Sequence, residues 1–162
     1  MNTRYLTAAA AAAALALGPA AVAAGAAPSS DSLGPPPPGC EVDLDALAAE
    51  TPPPEVLPDF PGWQVTDSSD LCGNLGFAVL DTAGGTGSSP TAVVLMHRGE
   101  PVPTQPGGEQ PAQVLDASDF HVIVETRGAP DPDDANAEAP TTATMYLWNP
   151  FDSDVVPIRL PD

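Results

Sequence analysis

From residue 63 onward, apolar side chains recur at alternate positions in runs of strand length, separated by glycine, proline, asparagine and aspartate. A period of two sends successive side chains to opposite faces of an extended chain, and a helix cannot use it. The clearest instance is Leu71 to Gly99, LCGNLGFAVLDTAGGTGSSPTAVVLMHRG, where a glycine-rich turn joins two apolar runs. Gly84, Gly85 and Gly87 permit positive φ there, and Pro90 ends the turn before the β-branched Thr91, Val93 and Val94, so the stretch reads as a β-hairpin. In its second arm Ala92, Val94 and Met96 face one way and Val93, Leu95 and His97 the other. Both sets are mostly apolar, as in an interior strand.

Further strands are expected at Trp63 to Thr66, Leu75 to Asp81, Phe120 to Arg127, Thr142 to Trp148 and Asp154 to Leu160. The prolines of Pro101-Val102-Pro103 demote that segment to a sheet edge. Residues 104 to 113 and 128 to 141 read as loops. Ahead of the strands, Glu41 to Glu50 has Leu44, Leu47 and Ala48 at the spacing of one helix face, with acidic residues early, where the helix dipole favours them. Thr51 and the prolines at 52 to 54 stop it. The fold class expected is α+β: a small antiparallel sheet, a meander of about five to six strands, with one short N-terminal helix packed on it.

The first residues have the plan of an export signal. Arg4 supplies a basic start, Leu6 to Val22 an apolar stretch, and small residues follow, with cleavage expected after Ala26 because Pro28 would obstruct processing after Ala27. The rival is an uncleaved anchor, which the alanine-rich stretch and Gly18-Pro19 disfavour. The division is therefore signal peptide 1–26, proline-rich linker 27–39 and β-rich domain 40–162. Four consecutive prolines in the linker favour extended polyproline geometry.

Charge narrows the partners. The chain has no lysine, only Arg4, Arg98, Arg127 and Arg159 as cations, and 22 carboxylate side chains, for a net −18. Removing Arg4 with the leader takes one positive charge away and leaves −19. Such a field repels nucleic acid and anionic membranes and favours cations or basic partners. Stable membrane insertion after processing is not expected. The abundance of Ala, Pro, Gly and Asp, against few Lys, Ile, Asn, Phe and Tyr, fits a GC-rich genome such as that of actinobacteria.

Two cysteines in an exported chain point to a Cys40–Cys72 disulfide. Closing a loop of about 33 residues is worth about 3.7 kcal/mol on the chain-entropy account. Cys40 lies behind Pro37-Pro38-Gly39, far from the apolar region a lipid-modified cysteine would follow.

Catalytic, cofactor and metal residues are not assigned. His97 and His121 are the only imidazoles, and Ser88, Ser89 and the many aspartates could be drawn into a triad, yet no GxSxG elbow or HExxH pair is present. Both histidines sit on strands among apolar neighbours, where an imidazole is usually structural. GGTGSS lacks the lysine and the spacing of a phosphate loop. The acidic loop 131–138 places Asp131 and Asp133 at the first and third positions of a calcium loop, but Ala135 and Asn136 stand where a ligand and the turn glycine belong. Trp63, Tyr146, Trp148 and the four phenylalanines, Phe60, Phe77, Phe120 and Phe151, read as core residues ahead of a partner or glycan surface.

Cys72-x-x-Leu75, the apolar strand after it, the GGTGSSP turn at 84 to 90, the run Ala92 to Met96 and His97-x-Gly99 together resemble the LppP/LprE family of actinobacterial exported lipoproteins. Weaker similarity reaches back to Gly62-Trp63 and the helix, and forward to the strands at 120 to 127 and 142 to 148. The chain departs from the family in having Leu75-Gly76-Phe77 where Leu-Ser-Trp is common, and in lacking a counterpart of the lipid-modified cysteine. The resemblance implies a small cell-envelope domain without an established enzymatic role, and supplies no catalytic residues. The function expected is an exported, envelope or secreted, non-enzymatic module that binds a protein or envelope component. Its oligomeric state is open. The alternatives are an extracytoplasmic hydrolase or metal-dependent enzyme using His97 or His121, and a calcium-binding protein acting through 131–138.

Overall fold

The computed structural model describes residues 38–133 and 138–161. The export segment with Ala26, most of the linker, and residues 134–137 of the acidic loop lie outside them.

The helix α1 spans Leu44–Glu50 and starts later than expected, because Asp43 caps it: its Oδ1 accepts the amides of Asp45 at 3.0 Å and Ala46 at 3.1 Å. Thr51 closes it, returning both its amide (3.0 Å) and its hydroxyl (2.8 Å) to the Leu47 carbonyl. Its extended backbone is the one a residue before proline must take.

Eight strands follow in two sheets of four, each an antiparallel meander. Sheet 1 contains β1 (Trp63–Ser68), β2 (Gly76–Thr82), β3 (Thr91–His97) and β4 (Glu100–Pro101). Sheet 2 contains β5 (Ala112–Ala117), β6 (His121–Arg127), β7 (Thr141–Asn149) and β8 (Asp154–Arg159). The α+β class with an N-terminal helix holds, while the strand number rises and the single sheet becomes two. The strand absent from the sequence reading is β5, where a bulge between Val114 and Asp116 breaks the alternation.

The two sheets pack face to face. Leu75, Phe77, Val79, Val93 and Leu95 meet Val122, Val124, Trp148 and Val155 in one core. On the other face of sheet 1, Ala78, Leu80, Ala92, Val94 and Met96 lie under Leu47, with Val42, Leu44 and Ala48 around it. The hairpin β2–β3 is thus covered on both faces, as its double apolar pattern implies. Its turn is built by backbone needs: Gly84 has φ +68°, and a Cβ on Gly85 would come within 2.8 Å of the Ser89 side chain.

The sheet edges are blunted. Because β4 is only two residues long, the Gln105 side chain takes a strand's place beside β3: its Oε1 accepts the Leu95 amide at 2.7 Å, and its Nε2 donates to the carbonyls of Leu95 (3.0 Å) and Val102 (2.5 Å). On β8, the Leu160 amide bonds the Ala143 carbonyl, so the backbone of residues 155, 157 and 159 faces outward. Pro157 has no amide to expose, and the Val155 amide is taken by Asp154 Oδ1 at 2.7 Å. Bulges interrupt β1 and β5.

Cys40 and Cys72 form a disulfide with Cα atoms 6.0 Å apart, tying the segment before α1 to the loop before β2. Asp154 pins the sheets: its two oxygens accept the Thr104 amide at 3.1 Å and hydroxyl at 2.9 Å. The Val155 amide, then those Thr104 bonds, hold the Asp154 carboxyl below its ordinary value of 3.8.

Replacing Cys40 and Cys72 together by serine is expected to cost about 3–4 kcal/mol in denaturant unfolding. Gln105→Ala leaves the Leu95 amide without its partner, while the Leu95 carbonyl keeps the Val102 amide at 3.0 Å, and is expected to cost about 1–3 kcal/mol by the same measurement, against a few tenths for the exposed Gln113→Ala. A carboxyl whose folded pKa is lowered adds stability above its unfolded pKa and loses it as pH falls through the folded value. Thermal melts should therefore show Asp154→Asn less stable than the parent at neutral pH, with the difference shrinking as pH drops below 3.8.

Candidate functional site

The two histidines occupy separate places. At the end of β3, His97 donates from Nδ1 to the Asn74 carbonyl at 2.5 Å and stacks on Trp148, with ring centroids 4.0 Å apart and planes 15° apart. That stack joins sheet 1 to sheet 2.

His121 opens β6 beside the short β5–β6 turn. Its Nε2 lies 2.9 Å from Asp116 Oδ2 and its Nδ1 lies 2.8 Å from Ser118 Oγ, so serine, imidazole and carboxylate stand in line. In the neutral ring this gives Nε2–H to the carboxylate and leaves Nδ1 to accept the serine proton. The hydrogen bond from His121 holds the Asp116 carboxyl below its ordinary value. Sequence reasoning missed Ser118; the hairpin spacing of Asp116, Ser118 and His121 was the available signal. Yet Ser118 Oγ also accepts the amides of Phe120 (3.3 Å) and His121 (3.2 Å), which locks it into the turn.

Neither histidine lines the three cavities described below or at the β2–β3 turn, and neither does Ser118. Ser88 and Ser89 are far from this line, bonded to Thr86 within the β2–β3 turn. In the acidic loop Asp131 Oδ1 accepts the Asp133 amide at 2.9 Å. Among the described residues no three metal-type side chains converge.

The largest of these three cavities lies beside α1. The helix end (Leu47, Glu50, Thr51), the connector Pro52 to Pro54, the edge of β3 (Ala92 to Val94) and the loop from Pro101 to Glu109 enclose a groove of about 460 Å³. That volume is within the range of small-molecule sites. Its walls are stiffened by design of the chain. Prolines fix φ at Pro52, Pro53, Pro54, Pro101 and Pro106. Glu109 fastens the loop to the connector by accepting the amides of Glu55 (3.1 Å) and Val56 (3.3 Å). Trp63 Nε1 donates to the Pro52 carbonyl at 3.0 Å, placing the indole beside the groove. The lining is chiefly apolar, with Glu50 and Glu109 as its charges and the Gln105 amide and Thr51 hydroxyl as neutral polar groups. Such a surface can hold a compact apolar body. It offers no nucleophile or imidazole.

Two smaller cavities are polar. One flanks the β2–β3 turn, with a volume of about 360 Å³. There Asp81 already accepts the hydroxyls of Thr66 and Thr91, each at 2.9 Å, and Thr82 donates to the Pro90 carbonyl at 2.8 Å. The other, of about 90 Å³, sits where Gly87 meets β5 and β6. No helix among the described residues is long and apolar enough to cross a membrane.

Comparison with known proteins adds a family. No curated protein and no solved structure matches the chain. The family model described as LppP/LprE lipoprotein matches residues 67–150, from the end of β1 through β7 and into the turn after it. The span takes in the doubly covered hairpin and the β-side wall of the groove but not α1 or the three prolines after it. It covers just over half of the 162 residues, and the chain belongs to the LppP/LprE lipoprotein family.

Proposed function

We propose that this protein is an exported, envelope-located binding module that holds a compact, largely apolar ligand in the groove beside α1 and does no covalent chemistry on it. Membership of a lipoprotein family supports export to the envelope. A disulfide supports an oxidising compartment, since such bonds are rare in reducing ones. On this reading residues 1–26 are removed after Ala26, 27–39 are a linker and 40–162 are the working domain. The acidic charge argues against nucleic acid as a partner.

One observation carries the reading: the groove is walled by prolines and strand residues, while both histidines stand outside it. His97 is committed to the contact between sheets. The line Asp116–His121–Ser118 is the support a hydrolase reading has, and a hydrolase also needs a cleft and oxyanion donors beside its serine.

Titration with the neutral dye N-phenyl-1-naphthylamine, followed by dye emission and by transfer from Trp63, tests the proposal. Saturable binding is expected, weakened about tenfold or more by Glu50→Trp, which fills the groove mouth from an exposed helix position. Absence of saturable binding overturns the reading. So does p-nitrophenyl acetate hydrolysis that disappears in Ser118→Ala.

A further inference from the structure

Sheet 1 has α1 over its outer face, whereas among the described residues nothing covers the outer face of sheet 2. Val122, Val124, Trp148 and Val155 point into the sandwich, so their strand neighbours point out. The pairing aligns Ile123 with Met145 and Met145 with Ile158, and beside that row Leu147 with Val156. The result is a contiguous apolar surface across three strands. Leu147, Val156 and Ile158 are between 38% and 44% exposed.

At one end of this face the strand turns carry two exposed phenylalanines, Phe120 and Phe151. Trp148 donates its amide to the Phe120 carbonyl at 2.8 Å, which brings the β5–β6 turn alongside the β7–β8 turn that carries Phe151. Phe151 is 94% exposed. Its turn is fixed: Asn149 Oδ1 accepts the Phe151 amide at 3.0 Å, Asn149 Nδ2 donates to Asp152 Oδ2 at 2.7 Å, and Pro150 sets φ between them. An aromatic side chain held out by a rigid turn loses little conformational freedom on burial, which suits an anchor.

Charge selects what covers it. Asp116 and Asp152 flank the phenylalanine end, and Asp119, only 7% exposed, keeps Oδ2 without a hydrogen-bond partner among the described residues. Arg127 and Arg159 stand at the opposite ends of β6 and β8. A second copy of a chain carrying −18, or an anionic lipid surface, meets this end with like charge. The blunted edges disfavour strand addition, so an occupant must lie on the face.

We propose that the outer face of sheet 2, led by Phe151, docks a protein partner that offers an apolar cleft bordered by arginine or lysine side chains. The surface shares no residue with the groove, so this proposal and the ligand reading above fail independently.

Amide chemical-shift mapping of the oxidised protein tests it with four samples: a short amphipathic leucine–lysine helix, its leucine–glutamate counterpart, phosphatidylcholine vesicles, and the protein alone over a concentration series. The leucine–lysine helix is expected to give saturable shifts at Phe120, Leu147, Phe151, Val156 and Ile158. Its affinity should fall about tenfold at high salt, and about tenfold in Phe151→Ser with the melting temperature unchanged. If Phe151→Ser does lower the melting temperature, Val156→Thr replaces it with the same expectation. Shifts that miss these amides, or that spread unsaturably over the acidic surface, overturn the proposal. Equal binding of the leucine–glutamate helix also overturns it. The same amides shifting with vesicles would assign the face to a membrane surface, and shifting with protein concentration would assign it to self-association; either result removes the proposal.

Discussion

Everything in this fold hangs on one hairpin being buried from two sides. Each of β2 and β3 presents apolar residues to α1 and to sheet 2 at once, and Leu80, Val93, Leu95 and Met96 are sealed from solvent. Burial of each such side chain is worth about 1.5–3 kcal/mol, so a few of them match the whole net stability of a small domain. A chain with so much like charge has few other places to find that energy. The hairpin is therefore the least available part of the molecule for recognition, although it carries the residues by which the family is recognised. Its turn glycines answer to backbone geometry, and the neighbouring hydroxyls are spent on Asp81 and Pro90.

A doubly covered hairpin creates a difficulty at its side. β3 must be protected along an edge where β4 contributes only two residues, and a side-chain amide, Gln105, fills the gap. The loop that delivers Gln105 must then bridge back toward the connector after α1, where Glu109 fastens it. The groove is the space this bridge leaves. It follows from how the sheet edge is closed, with prolines on one wall and strand residues on the other. The same logic separates geometry from activity at His121, where hydrogen bonds resembling a catalytic line close a two-residue-scale turn and the residues that make them line none of the three cavities described above.

What the sequence disclosed follows what local patterns can encode. The boundaries of β3 were legible because Thr91 to His97 is apolar on both faces and bounded by Pro90 and Gly99. The disulfide was legible from two cysteines in an exported chain. β5 was not, because its bulge places Val114 and Leu115 side by side and leaves small alanines at its ends. Missing that strand made two sheets look like one. The groove escaped notice because its walls come from residues 47–54, 92–94 and 101–109, which share no motif. Phe151 read as part of a turn and, with the other phenylalanines, as core, yet only Phe77 is buried while Phe120 and Phe151 are exposed, since exposure is set by tertiary packing and leaves no trace in spacing.

The disulfide also decides how the domain bears load. Tension applied through the chain ahead of Cys40 passes across the sulfur bridge to Cys72, next to the start of β2, and bypasses α1 and β1 as links in the path. With the bridge closed, pulling engages the central hairpin, where strands must be sheared from two packed layers together. With it open, the same pull reaches α1 and its packing on sheet 1 before it reaches the hairpin. Oxidation thus converts the helix from the first element under load into a passenger on the strongest part of the fold.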